Sequence, residues 1–371
     1  MKKLFIADFT NIYTRFFLKE NIFKIIFLKS KLFLYLLFFI FLSSCLSGEH
    51  KNISVSFYFW RTRFKLNTLE KKTLAECNVS QLFVKFLDID WSEENQFPIP
   101  VAALDSLPES DNKINITPVI FITNRTFANI SEILLDSFVQ VLAEKCFSYP
   151  NFSGVKEIQF DCDWSGETRD KYFDFLKKIK VTLNISNHTK KNISATIRLH
   201  QYKDFKKTGV PPVENGMLMV YNLNAIDDIE NRNAVLDLAT LKSYLISGKK
   251  YPLPLNIALP IYSQGVLLRD GHAAHLFNNL ILQEVENDSI FQKTTQAIFT
   301  VKHNSYFKEV YIYEDDKLRI DEVSKENLSA AYKLLLKYFD ADLNKITFFS
   351  LDSACLKKYN TEDLKTGFLK Y

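Results

Sequence analysis

The feature that most constrains this chain is a repeated change of hydrophobic period. From residue 53 onward, short apolar-alternating segments exchange with segments of helical spacing. Residues 53–60 set Val55, Phe57 and Phe59 against Ser54, Ser56, Tyr58 and Trp60, which predicts a first strand. Thr68 opens a helix carrying Leu69, Leu74 and Ala75, and residues 81–91 read as the second strand. A polar loop with Pro98, Pro100 and Pro108 is expected next. Residues 116–124 form a nearly continuous apolar run, as a parallel strand covered on both faces requires. Ser131 caps a helix whose stripe is Ile133, Leu134, Phe138, Val141 and Leu142.

Residues 157–164 predict the fourth strand, 167–179 a helix, 194–200 the fifth strand and 217–222 the sixth. A helix at 234–246 precedes the seventh strand at 256–262, and Ser324 caps a long helix before the eighth at 346–351. Eight strands alternating mainly with helices predict an α/β fold, a (β/α)8 TIM-type barrel forming one domain over residues 53–371. Residues 285–325 break the pattern. There, 306–314 and 317–323 read as a β-hairpin around Asp315-Asp316, inserted after strand seven. An open doubly wound sheet is the alternative, and no strand is followed by the Gly-rich loop of its nucleotide-binding form.

The N-terminus carries a second pattern. Lys24, Lys29 and Lys31 precede an apolar run at 32–42 and then Leu42-Ser43-Ser44-Cys45. That run is short against the ~20 residues of a membrane span and fits a signal peptide, residues 1–44, removed on export. Small residues followed by Cys45 resemble the lipobox of bacterial lipoproteins. The resemblance implies a diacylglyceryl group on Cys45, a tether at 45–52 and a membrane partner. Leu46 after the cysteine, where no Asp stands, implies the outer membrane of a bacterial envelope. A net charge of +4 over 371 residues is too weak to argue for nucleic acid. Cys77, Cys146, Cys162 and Cys355 form no C-x-x-C pair, so no structural zinc is expected, and spacing leaves their pairing open.

The fourth strand concentrates the chemistry. Ile158, Phe160, Cys162 and Trp164 alternate with Glu157, Gln159, Asp161 and Asp163. Two carboxylates on an inward face are costly unless something pairs or uses them. Strand ends also offer Trp60 and Arg61, Asp88 and Asp90, Asn124, Arg198 and His200, Tyr221 and Asn222, and Tyr262. In a barrel these ends converge on one mouth. Glycoside hydrolysis, a hard-metal site and a structural ion-pair network could each use such a set. In the hydrolytic assignment Asp163 is the acid, Asp161 its stabiliser and His200 or Asp90 the base. Trp60, Trp164, Arg198, Tyr221 and Asn222 would then hold the sugar. No cofactor is implied. His272 and His275 would share a helical face, but they lack a third ligand, so no metal site is expected.

Phe160-Asp161-Cys162-Asp163-Trp164 resembles the fourth-strand Asp-x-Asp-x-Glu motif of chitinase-like family-eighteen glycoside hydrolases. Met219-Val220-Tyr221-Asn222 resembles that family's sixth-strand Met-x-Tyr-Asp. The resemblance implies a glycosidase-like barrel and a glycan ligand, but Ser165 stands at the acid Glu and Asn222 at the Asp. A lost general acid costs ~10²–10⁴-fold in rate. Across most of the mature chain, including Ser194–Gln201 and Gly209-Val210-Pro211-Pro212, the sequence is similar to Bacteroidota lipoproteins with glycosidase-like barrels. A barrel that binds glycan without cleaving it, or a structural envelope lipoprotein, stays open beside the enzyme.

Overall fold

A computed structural model describes residues 54–109, 113–185, 190–227, 233–246, 250–339, 343 and 345–365. The signal peptide, Cys45 and the tether lie outside the described residues. The strands, in chain order, are β1 (Ser54–Phe59), β2 (Gln81–Ser92), β3 (Phe97–Ala103), β4 (Asn115–Ile122), β5 (Glu157–Asp161), β6 (Asn192–Arg198), β7 (Asn215–Met219) and β8 (Leu255–Pro260). Then follow β9 (Gln264–Arg269), β10 (His272–Asn278), β11 (Phe291–Lys293), β12 (Ile298–Val301), β13 (Ser305–Phe307), β14 (Val310–Ile312), β15 (Lys317–Asp321) and β16 (Lys345–Phe349).

Eight of these strands close a parallel barrel in the order β1, β2, β4, β5, β6, β7, β8, β16. Closure is made by β1, which pairs in parallel with both β16 and β2. Helices cover the outside because the outward face of each strand is apolar. Helices Glu132–Phe147 and Arg169–Ile185 meet through Phe138 and Phe175, whose rings stack at 5.4 Å. Burying each such ring stabilises the layer by ~1.5–3 kcal/mol. Ser131 and Ser324 cap their helices through Leu134 and Asn327, as their sequence positions require.

Three departures follow from tertiary context. The proline-rich segment is a strand, not a loop: β3 runs antiparallel along the second half of β2. It is the outer edge of its sheet, where Pro98 and Pro100 forfeit no ladder bond. The insertion after the seventh barrel strand is also larger than a hairpin. It holds a five-stranded antiparallel sheet in the order β10-β9-β15-β12-β11, with β13 and β14 as a separate hairpin. Strand β15, expected to fold back on 306–314, pairs instead with β12 and β9. Lastly, His272 and His275 lie on β10 rather than on a helix.

Candidate functional site at the barrel mouth

The inward face of β5 carries a polar column along the barrel axis. Its lowest member, Glu157, accepts bonds from the Ser194 hydroxyl at 2.6 Å and the Gln81 amide at 3.3 Å. One step up, the Tyr58 hydroxyl donates to Gln159 Oε1 at 2.5 Å. At the top, Asp161 accepts from the Thr196 hydroxyl at 2.6 Å and from Arg198 Nη2 at 3.2 Å. The Arg198 guanidinium also touches the Met219 sulfur. Burial works against the Arg198 charge, yet the Asp161 and Asp163 carboxylates outweigh it and raise its pKa. Burial pushes the Tyr58 and Tyr221 phenols well up, so both remain hydroxyl donors. The Tyr221 hydroxyl and the Gln159 amide nitrogen are buried without a partner among the described residues.

Two residues beyond Asp161 the strand has ended and the environment changes. The Asp163 side chain is 55% exposed and lies 3.4 Å from His200 Nε2. His200 stands in the short helix Leu199–Lys203 that follows β6. Between the two pairs sits the fully buried Gln201. Its Oε1 accepts from the Arg198 amide at 2.8 Å, while its Nε2 donates to Asp163 at 3.3 Å and to the Trp164 carbonyl at 3.0 Å. The structure therefore gathers Asp161, Asp163, Arg198 and His200, but in two environments: an interior ion pair and a solvent-facing pair.

Other expected site residues go elsewhere. Asp90 accepts from the Thr123 hydroxyl at 2.6 Å, from Arg125 at 2.5 and 3.2 Å, and from the Trp91 amide at 2.8 Å. Burial favours its neutral form, but the bonds from Arg125 and Thr123 prevail and hold its carboxyl below the usual range. So placed, Asp90 is a structural acceptor and not an available base. Trp164 is also corrected. It is 0% exposed, stacked on Tyr172 at 5.4 Å, with its indole N–H bonded to the Thr208 carbonyl at 2.8 Å. Its alternation with Phe160 and Cys162 puts it under the helix layer, so it has no free face for a sugar. Tyr221 is buried against Phe349, with ring centroids 5.1 Å apart. Ser165, which the sequence resemblance sets where family-eighteen enzymes have their acid, helps form the turn into helix Arg169–Ile185. Its amide donates to Thr168 Oγ1 at 2.9 Å and its carbonyl accepts from the Arg169 amide at 3.0 Å.

The open space lies to one side of these acids. A cleft of about 510 Å³ is bounded by Trp60, Tyr262 and Phe349 at the ends of β1, β8 and β16. Its polar wall includes Asn222, Asn224, Gln264, Asn278 and Asn279, so the inserted sheet supplies one side. The Tyr262 hydroxyl donates to Asn222 Oδ1 at 2.5 Å, which fixes that rim. Of the expected strand-end residues, Trp60, Arg61, Asn222 and Tyr262 line the cleft, whereas Asp161, Asp163, His200 and Asp90 do not. Phe349, Gln264, Asn278 and Asn279 escaped the sequence reading. Phe349 was accessible to it as the end of the eighth strand, but the amides of the insertion carry no motif. Among the described residues no group of three or more His, Cys, Asp or Glu is placed to hold a metal ion.

Solved structures share this architecture. The spore cortex-lytic enzyme SleL of Bacillus megaterium QM B1551 aligns with a TM-score of 0.53 at 13% identity, over 87% of this chain and 75% of that one. A chitinase of Chromobacterium violaceum ATCC 12472 gives 0.53 at 11% identity, over 86% of this chain and 100% of that one. The chain has a chitinase-like fold. The Group IV chitinase of Ostrinia furnacalis gives 0.51 at 12% identity, over 86% and 100% of the two chains. No family model matches the sequence, and comparison with curated proteins finds no match. At these identities the likeness is one of fold.

Proposed function

We propose that this chitinase-like barrel binds a glycan in the cleft at its mouth, as a lipid-anchored protein of a bacterial envelope, outer membrane included. One observation carries the reading: an open cleft combining the Trp60, Tyr262 and Phe349 rings with a wall of side-chain amides. Aromatic faces cover the apolar faces of sugar rings, and amides match hydroxyl and acetamido groups as both donors and acceptors. Anchoring rests on the lipobox-like Ser43-Ser44-Cys45.

Binding without cleavage is the primary reading because Ser165 is spent on a helix turn and Asp161 on Thr196 and Arg198. A glycan array probed with the mature protein, followed by calorimetry on the strongest hit, tests it. Binding that Trp60→Ala weakens about tenfold, with no product released, is expected; an array without any hit would sink the reading. Hydrolysis is the second reading, favoured by the exposure of Asp163 and its contact with His200. Reducing-end release from a bound glycan, lost in Asp163→Asn, would establish it instead.

A further inference from the structure

We propose that the loop at residues 61–67 is a subsite for an anionic substituent (carboxylate, sulfate or phosphate) on the glycan held in the cleft. The inference rests on the glycan-binding reading and adds the class of glycan. A second concavity of about 400 Å³ is lined by Arg61, Thr62, Arg63, Lys65 and Asn67. Arg61 lines this concavity and the main cleft alike, so the two are contiguous.

The loop is built so that its cations face outward. Alternation sets Arg61, Arg63 and Lys65 against Phe64 and Leu66, which pack on the core. Phe64 lies on Phe59 with centroids 4.7 Å apart. Arg61 is clamped between the Phe59 ring, at 4.3 Å, and buried Glu70, at 2.9 Å. Glu70 also accepts from the Asn67 amide at 3.0 Å in a capping box. From the other side, Asp105 accepts from the Phe64 amide at 3.0 Å and donates its own amide to the Thr62 carbonyl at 2.8 Å. A loop held at both ends pays little ordering entropy when a ligand arrives.

The local charges leave a positive surplus. Glu70 is engaged by Arg61 and the cap. Asp105 Oδ1 is taken by the Phe64 and Ser106 amides, while its Oδ2 stands 3.8 Å from an Arg63 side chain that is 82% exposed. That exposed contact contributes little. Lys65 has no carboxylate within ion-pair distance among the described residues. In the main cleft the charged lining residues are Arg61 and Asp352, and Asp352 caps Ala354 at 2.8 Å. A glycan passing Arg61 thus leaves an evenly charged cleft for a rim whose two cations, Arg63 and Lys65, are held by no more than that weak exposed contact. Arg63 offers a planar fork and Lys65 a point charge, both suited to an oxyanion.

The test compares neutral, uronate-bearing, sulfated and phosphorylated oligosaccharides on one array, then the strongest acidic ligand and its neutral counterpart by calorimetry. Arg63→Gln/Lys65→Gln changes two exposed side chains, so the fold should survive, which thermal unfolding checks. Wild type should prefer acidic ligands. The double variant should bind them about fivefold more weakly at low salt, with neutral ligands unchanged. The preference should also fade between ~50 and ~500 mM salt. Equal binding of neutral and acidic glycans, or a variant that weakens both alike, overturns the subsite and leaves glycan binding standing. An array on which nothing binds removes both. The three acidic arms decide which anion the loop takes.

Discussion

Arg198 reaches Asp161 across 3.2 Å at the top of the polar column inside the barrel. That contact turns the costliest residue of the fourth strand into a structural one. Replacing Asp161 with Ala leaves the guanidinium and the Thr196 hydroxyl without their acceptor. Breaking one side of a buried pair typically costs ~3–5 kcal/mol; Arg198 keeps partial solvent access, so about 3 kcal/mol is expected. Urea unfolding of Asp161→Ala measures it. Asp163→Asn, on the exposed side, should shift stability by less than ~0.5 kcal/mol.

Trp60 should matter for the ligand and little for the fold. Trp60→Ala removes a cleft wall, and an aromatic anchor of this kind is worth about tenfold in affinity, or ~1.4 kcal/mol. Calorimetry against any glycan selected by the array reads the loss. Unchanged affinity would place the ligand somewhere other than this cleft.

Asp90 gives the chain a pH signature. Its folded carboxyl titrates below the unfolded value because Arg125, Thr123 and the Trp91 amide outweigh its burial. A depressed acid contributes stability that is complete above the unfolded pKa, ~3.9. The contribution is lost as pH falls through the folded value. Asp90→Asn should therefore be less stable than wild type at pH 6 to 7, with the gap narrowing below about pH 4. Unfolding midpoints across that range would show whether the gap closes.

Gly209 should resist substitution. Its φ is +81°, and an added Cβ would lie 2.7 Å from both Arg169 and Phe173. Strain and overpacking together should make Gly209→Ala about 2–4 kcal/mol less stable. A melting temperature within 2 °C of wild type would count against this account.

Much of the architecture was legible in one dimension. Alternation on residues 157–161 separates an outward apolar face from an inward polar one, and the structure places Gln159 and Asp161 inside the barrel accordingly. Local period sets strand and helix because each barrel strand must bury its outer face under a helix. The same parity argues against Trp164 as a sugar platform, since it shares a face with Phe160 and Cys162. The insertion was less legible. Lys317–Asp321 has a strand's composition, but its partners β9 and β12 are chosen by long-range packing that no local period records.

By itself, then, the sequence determined an eight-stranded barrel with acids and aromatics at its mouth, because side-chain period dictates which face of an element can be buried. Only the tertiary structure decided how those residues divide. Asp161 was drawn into an ion pair by Arg198 from the next strand, Asp90 was claimed by Arg125, and Ser165 was absorbed into a helix turn. The cleft itself combines Trp60 from β1's end, Phe349 from β16 and amides from the inserted sheet. These groups are far apart in sequence, and closing the barrel is what sets them side by side.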